Sequence, residues 1–168
     1  MPPARRLRVS GNVRVRIAAV GSPFGDDRLG WIAAGRLRRS AALAALPAGV
    51  VSIAELDRPG ADLLQDLEGL SALYVIDAMR TGGPPGTLHT LHAEAATVPQ
   101  GALSSHGLGV AAALALGEAM ACLPPRVIVF GLEITSTSGT GLAPEVEAAL
   151  PGLVAAVEHA VLGEVCSG

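Results

Sequence analysis

Short apolar runs that alternate with helix-like segments constrain the fold of this chain most strongly. Residues 13–20 alternate apolar and polar positions, which is the pattern of a strand with one face more exposed to solvent than the other. Residues 72–77 are almost wholly apolar, as is typical of a central strand covered on both faces. Further strands are predicted at residues 50–55, 87–93 and 126–133, with residues 87–93 at an edge of the sheet.

Helices are predicted between these strands, and their order identifies the fold class. They cover residues 29–46, a short segment ending near residue 70, residues 104–122 and residues 144–162. The pattern predicts an α/β fold: a single three-layer domain, a mostly parallel sheet with helices on both faces and one antiparallel edge strand. The domain is expected to span residues 13–163, with tails at 1–12 and 164–168.

Composition excludes several classes of function. Half of the 168 residues are hydrophobic but only 2% are aromatic, so Ala, Val and Leu must build the core. The net charge is −3 and Lys is absent, which disfavours nucleic-acid binding. No signal-like apolar region follows Arg5 and Arg6, and Cys122 and Cys166 do not suggest a disulfide framework. We expect a cytoplasmic protein with no membrane partner.

Two acids and one imidazole form the candidate site. Asp27, in the pair Asp26-Asp27, follows the first strand; Asp77 ends the third; His106 begins an Ala-rich helix. Ligands gather at the carboxyl ends of the strands in open parallel sheets, so these side chains are expected to share one rim. Two carboxylates and a neutral imidazole can bind a divalent metal. The pattern predicts a site for metal-dependent recognition or hydrolysis.

Each of these residues also has a structural interpretation. Asp26 or Asp27 can cap the following helix, and Asp is common in turns such as the one after Asp77. His106 lies where a helix dipole keeps imidazole neutral, which suits either a structural or a ligand role. His89 and His92 lie three positions apart on the edge strand, so they face opposite sides. Like His159, they are predicted to be surface residues.

Other catalytic patterns fit less well. Ser104-Ser-His with Asp77 suggests a serine hydrolase, but adjacent Ser and His do not readily form the required hydrogen bond, and no Gly-x-Ser-x-Gly elbow is present. Gly21, Gly25 and Gly30 miss the dinucleotide spacing, and the neighbouring acids would repel phosphates. A nucleotide site is therefore a less favoured alternative.

The ordered motifs resemble the maturation endopeptidases of nickel–iron hydrogenases. The resemblance spans about residues 13–162. It is carried by the glycine-led loop ending in Asp26-Asp27, by Asp77-Ala78 and by Ser104-Ser-His106-Gly-Leu-Gly109. Further agreement comes from Pro85-Gly-Thr87, Phe130-Gly-Leu-Glu133 and Gly141-Leu-Ala-Pro-Glu-Val146.

The resemblance implies an endopeptidase that removes a C-terminal extension from the precursor of the hydrogenase large subunit. It implies that Asp27, Asp77 and His106 contact nickel supplied by the substrate, for which zinc or cadmium can substitute in vitro. Asp26 would then cap the helix or orient a ligand. We expect a monomer that meets its precursor transiently.

The sequence departs from the family pattern at several positions. Ser22 replaces the usual Asn, Arg28 replaces a common Gly, the loop is one residue shorter, and residues 57–60 replace a Gly-Gly-Thr-like segment. These departures leave open a non-catalytic module that binds a metal or small molecule on the same fold.

Overall fold

The strands of this protein form one mixed sheet. The structure, a computed structural model, describes residues 12–57, 61–92 and 107–167. The strand order is β2-β1-β3-β5-β4, with β4 antiparallel to β5 and the other neighbours parallel. This confirms the predicted fold class and the antiparallel edge strand. The strands are β1 (Val15–Val20), β2 (Val51–Leu56), β3 (Ala72–Met79), β4 (Leu88–His92) and β5 (Arg126–Glu133).

Helices cover both faces of this sheet. They are α1 (Leu29–Arg38), α2 (Ala41–Ala44), α3 (Gly107–Ala119) and α4 (Pro144–Ser167), with 3-10 turns at Gly25–Arg28 and Ala61–Leu64. Buried side chains of α1 and α4 form a core with one face of the sheet. Buried side chains of α3 and of the segment after β2 form a core with the other face. The result is the expected three-layer arrangement.

The central strand β3 fixes where a ligand can bind. All eight of its residues are buried, as its apolar sequence predicted. β1 leads through α1 to β2 on one side, whereas β3 leads through β4 and α3 to β5 on the other. The direction of the chain connections therefore reverses between β1 and β3. A crevice at such a reversal, beyond the carboxyl ends of the strands, is the usual ligand site of an open α/β sheet.

Gly30 lets the first turn of α1 approach β1 closely enough to position the loop between them. A Cβ atom at Gly30 would lie 2.0 Å from the carbonyl oxygen of Val20, which is backbone and cannot move aside cheaply. Only glycine permits this contact. The contact holds the 3-10 turn Gly25–Arg28 against the end of β1.

Three helix predictions need correction. The short helix predicted to end near residue 70 is only the 3-10 turn Ala61–Leu64. The helix predicted at residues 29–46 is interrupted, because the Ser40 side chain accepts a hydrogen bond from Leu43 N at 3.1 Å and begins the separate helix α2. Such a local cap competes with helix continuation. The last helix runs to Ser167, not to residue 162. Val165 is fully buried against the core, so residues 164–167 belong to α4 and not to a tail.

Helix α4 is long and apolar enough to cross a membrane by length and composition alone. In this fold one face of α4 is fully buried against the sheet, and its residues recur at the spacing of an amphipathic core helix. The residues of this buried face are Val146, Leu150, Leu153, Val157, Val161 and Val165.

Candidate active site

Asp77 is a buried carboxylate near the end of β3. Its side chain is 1% exposed although it lies in a wholly apolar strand. Oδ1 accepts a hydrogen bond from Ala78 N at 2.8 Å. Oδ2 is buried and accepts none from the described residues. A buried carboxylate oxygen in this state is costly, and such a group is a candidate for ligand binding or catalysis.

Asp27 lies at the same rim, in the 3-10 turn that follows β1. It is 4% exposed, and its Oδ2 accepts a hydrogen bond from Ser22 Oγ at 3.2 Å. Ser22 N in turn donates to Asp27 O at 3.2 Å, which folds the loop back on itself. A Cβ atom at Gly21 would lie 2.7 Å from Asp27 O, so this tight loop also needs glycine there. Ser22, a departure from the family pattern, directly orients the acid.

The two carboxylates act on each other electrostatically. Burial raises the pKa of Asp77 well above its usual range, the hydrogen bond from Ala78 N opposes this shift, and the negative charge of Asp27 adds to it. Asp77 therefore favours a proton or a cation more than an exposed carboxylate does. Both acids suit a divalent metal as oxygen ligands, since a cation at the rim would offset their repulsion.

The third predicted ligand, His106, lies outside the described residues. Within residues 12–57, 61–92 and 107–167, no group of three or more His, Cys, Asp or Glu side chains is placed to hold a metal ion. Asp27 and Asp77 thus supply at most two described ligands. The role of all three residues as a metal site stays a prediction.

Asp26 does not cap the following helix as predicted. No side chain caps either the 3-10 turn or α1. Asp26 Oδ1 instead accepts a hydrogen bond from Ala143 N at 2.6 Å, and Oδ2 accepts a long one from Ser136 N at 3.5 Å. This acid joins the loop after β1 to the loop between β5 and α4. Its partners are more than a hundred residues away, so no local pattern could reveal them.

Glu133, at the end of β5, is a buried acid for which the sequence pattern predicted no role. It is 1% exposed and organises the loop after β3. Its carboxylate accepts hydrogen bonds from the backbone N–H groups of Thr81, Gly82 and Gly83 at 2.7, 2.8 and 3.2 Å. Thr81 Oγ1 donates another at 2.8 Å. These residues form a clamp beside the rim that carries Asp77.

His89 belongs to this clamp, which corrects its prediction as a surface residue. Its side chain is 25% exposed, and Nε2 lies 3.1 Å from Glu133 Oε2. His92 and His159 are exposed, as expected. An alternating strand places His89 on the side opposite to His92, and Glu133 on β5 is the partner that partly buries it.

Replacing Glu133 by Gln should destabilise the fold by about 2–3 kcal/mol, because one acceptor in a buried side chain becomes a donor that faces the N–H groups of the loop. Burial raises the pKa of Glu133, but the hydrogen bonds from Thr81, Gly82 and His89 outweigh it and leave the pKa below its usual value. Such a group stabilises the fold above its unfolded-state pKa, and this stabilisation is lost as pH falls through the lower folded-state pKa. Urea unfolding should therefore show that the difference in free energy of unfolding between wild type and Glu133→Gln becomes smaller at acidic pH.

Glu55→Gln is the matched control, since Glu55 pairs with Arg38 at the surface and its side chain is 39% exposed. Its effect should stay within about 0.5 kcal/mol, as for most exposed pairs. Equal effects of the two substitutions would show that the Glu133 clamp contributes no special stability.

One cavity among the described residues lies away from this rim. An open groove of about 730 Å³ runs along the opposite edge of the sheet, where the strands begin. Arg14, Asp66, Cys122 and Pro125 contribute to its walls. The acids lie instead beyond the carboxyl ends of β1 and β3, so the groove is separate from the candidate site.

The chain is similar to known proteases of hydrogenase maturation. A family model described as "Hydrogenase maturation protease" matches residues 46–160. The hydrogenase maturating endopeptidase HybD from E. coli is 24% identical, with a TM-score of 0.70 over 89% of this chain and 92% of that chain. An endopeptidase from Escherichia coli is 24% identical, with a TM-score of 0.75 over 90% and 93%.

A third solved structure, the NiFe hydrogenase maturation protease HybD from Thermococcus kodakarensis, is 21% identical, with a TM-score of 0.67 over 89% of this chain and 99% of that chain. These structures share the fold. No curated protein sequence matches the chain significantly. Because the family model covers more than half of the sequence, the chain belongs to the hydrogenase maturation protease family, whose members hydrolyse peptide bonds.

Proposed function

We propose that this protein is a cytoplasmic endopeptidase that removes the C-terminal extension from a nickel-loaded precursor of a hydrogenase large subunit. The observation that carries this proposal is the buried acid pair, Asp27 and Asp77, at the crevice between β1 and β3 in a hydrogenase maturation protease fold. One of the similar structures is a protease of a NiFe hydrogenase, which supports nickel as the metal of the substrate.

We assign the recognition of nickel to Asp27, Asp77 and His106. Strand alternation puts Asp77 on the same face as Val75 and Met79, which pack in the core formed with α3. His106 directly precedes α3 in the sequence, and α3 packs against that face of the sheet. Oxygen and nitrogen donors suit a borderline divalent ion. When bound here, such an ion supplies positive charge that offsets the acid pair.

The acid pair can also move protons during hydrolysis. Asp77, whose pKa is raised by burial, can carry a proton on the carboxylate oxygen that does not contact the ion and later give it to the amine leaving group. The nearby carboxylate of Asp27 can accept a proton from the attacking water. The sum of these transfers is the addition of one water across the peptide bond. The crevice would hold the carbonyl group between the acids and keep bulk water out.

A cleavage assay on the precursor tests this proposal. The wild-type protein should remove the extension from nickel-loaded precursor, and mass spectrometry should show one new C-terminus. Nickel-free precursor should be cut at least about 100-fold more slowly, if the acids recognise the metal of the substrate. Asp66→Asn, at the opposite edge of the sheet, should cleave like wild type. A non-catalytic binding module would leave the extension intact in every sample.

A further inference from the structure

Phe24 is exposed beside the acid pair. Its side chain is 64% exposed, the largest exposed fraction among the large apolar side chains of the described residues. It lies in the loop between β1 and the 3-10 turn, three residues before Asp27. Asp27 N donates a hydrogen bond to Phe24 O at 3.1 Å. A phenyl ring left in water forgoes about 1.5–3 kcal/mol of burial energy, which a partner that covers it would recover.

The backbone that carries Phe24 is held firmly on both sides. Phe24 N donates to Ser22 Oγ at 3.4 Å, and Gly25 N donates to Gly139 O at 2.9 Å. Gly25 has φ +49°, and a Cβ atom there would lie 2.7 Å from Ser138 O. A ring on a fixed backbone loses little conformational freedom when a partner covers it, which is the property of an anchor residue.

The neighbouring surface gives a polypeptide room to approach this ring. The loop between β5 and α4 runs beside it and is built of Ser, Thr and Gly from position 135 to 141. A Cβ atom at Gly139 or Gly141 would meet no heavy atom within 4 Å, so the backbone there is open. Asp26 ties this loop to the loop of Phe24 through Ala143 N. The ring and the open backbone therefore form one continuous rim.

We propose that Phe24 is a specificity-determining residue that packs against an apolar side chain of the precursor close to the bond that is cut. The inference rests on the proposed function, because the acid pair defines where the polypeptide must lie. Phe24 and Asp27 share one short loop, so a chain segment whose peptide bond reaches the acids passes over the ring. The occupant is thus the extended segment of the substrate around its cleavage point.

Steady-state cleavage of nickel-loaded precursor tests this inference. Phe24→Ala should raise KM about 10-fold with kcat nearly unchanged, and Phe24→Leu should recover most of the loss, because the lost interaction is apolar binding. Met120→Ala is the matched control, since Met120 is 63% exposed and lies just after α3, at its carboxyl end. It should leave KM and kcat unchanged. All three variants should keep the thermal midpoint of wild type.

Binding of the precursor to an Asp77→Asn background separates this inference from the proposed function. Adding Phe24→Ala should weaken binding about 10-fold there, whether or not the wild-type protein cleaves. If wild type cleaves the precursor and Phe24→Ala has the same KM as Met120→Ala, the proposed role of Phe24 is overturned and the proposed function is not. If binding depends on Phe24 but the wild-type protein does not cleave the precursor, the proposed function is overturned and the role of Phe24 in binding is not. No binding and no cleavage would overturn both.

Discussion

Asp77→Asn should reduce cleavage of the nickel-loaded precursor at least about 100-fold, the usual effect of losing a group that transfers protons. Asn keeps the oxygen that accepts the hydrogen bond from Ala78 N, so the local backbone should be preserved. It cannot hold an exchangeable proton or a negative charge. The same substitution should stabilise the folded protein, because it removes a buried charge beside Asp27.

The stability gain should depend on pH in a defined direction. Burial, with repulsion from Asp27, raises the folded-state pKa of Asp77, so the folded state binds a proton more tightly than the unfolded state. Wild-type stability therefore falls as pH rises from the unfolded-state pKa through the folded-state pKa. Asp77→Asn avoids this loss, so its free energy of unfolding should exceed that of wild type above the folded-state pKa. The gain should vanish in acid.

Urea unfolding across pH, together with the cleavage assay, measures both effects. Asp66→Asn is the control, because Asp66 has a side chain that is 91% exposed and lies 3.8 Å from Arg16. Asn also tolerates the positive φ of 54° at this position. A variant at position 77 that loses stability and activity together would indicate a structural carboxylate. If Asp77→Asn cleaved the precursor as fast as wild type, Asp77 would not be a residue of the active site.

The order of strands and helices along the chain and the rim that carries the acids could be predicted because they depend on local patterns. The apolar run of β3 ends in a carboxylate, and a parallel sheet brings the carboxyl ends of β1 and β3 to one rim. Gly25 and Gly30 marked the loop, although the contacts that require them are visible only in the fold. The α/β class followed from the alternation of periods alone.

The Glu133 clamp and the hydrogen bonds of Asp26 could not be predicted, because each joins distant parts of the chain. Glu133 binds a loop about 50 residues earlier, and Asp26 binds a loop about 115 residues later. A sequence shows that such an acid exists but not which backbone N–H groups meet it. Ser40 was missed for the opposite reason. Its cap is local, but the Ala- and Leu-rich flanks mask the break in the helix.

The largest effect on binding should come from removing any one of the three proposed nickel contacts. Asp27→Ala, Asp77→Ala and His106→Ala should each weaken nickel binding by more than about 100-fold, because even the partners that orient metal ligands contribute 10- to 100-fold. The three losses should be similar, since one ion cannot bind well to two remaining ligands. Isothermal titration calorimetry with nickel, and with zinc as a second probe, measures them.

His159→Ala and Asp66→Asn are the controls for this titration, because both residues are exposed and neither lies at the rim. Each should bind nickel like wild type, and circular dichroism should show that all variants fold. In the proposed site, one ion contacts Asp27, Asp77 and His106 together. A steep loss of nickel affinity in all three variants is the predicted result, and unchanged affinity in any one of them would contradict it.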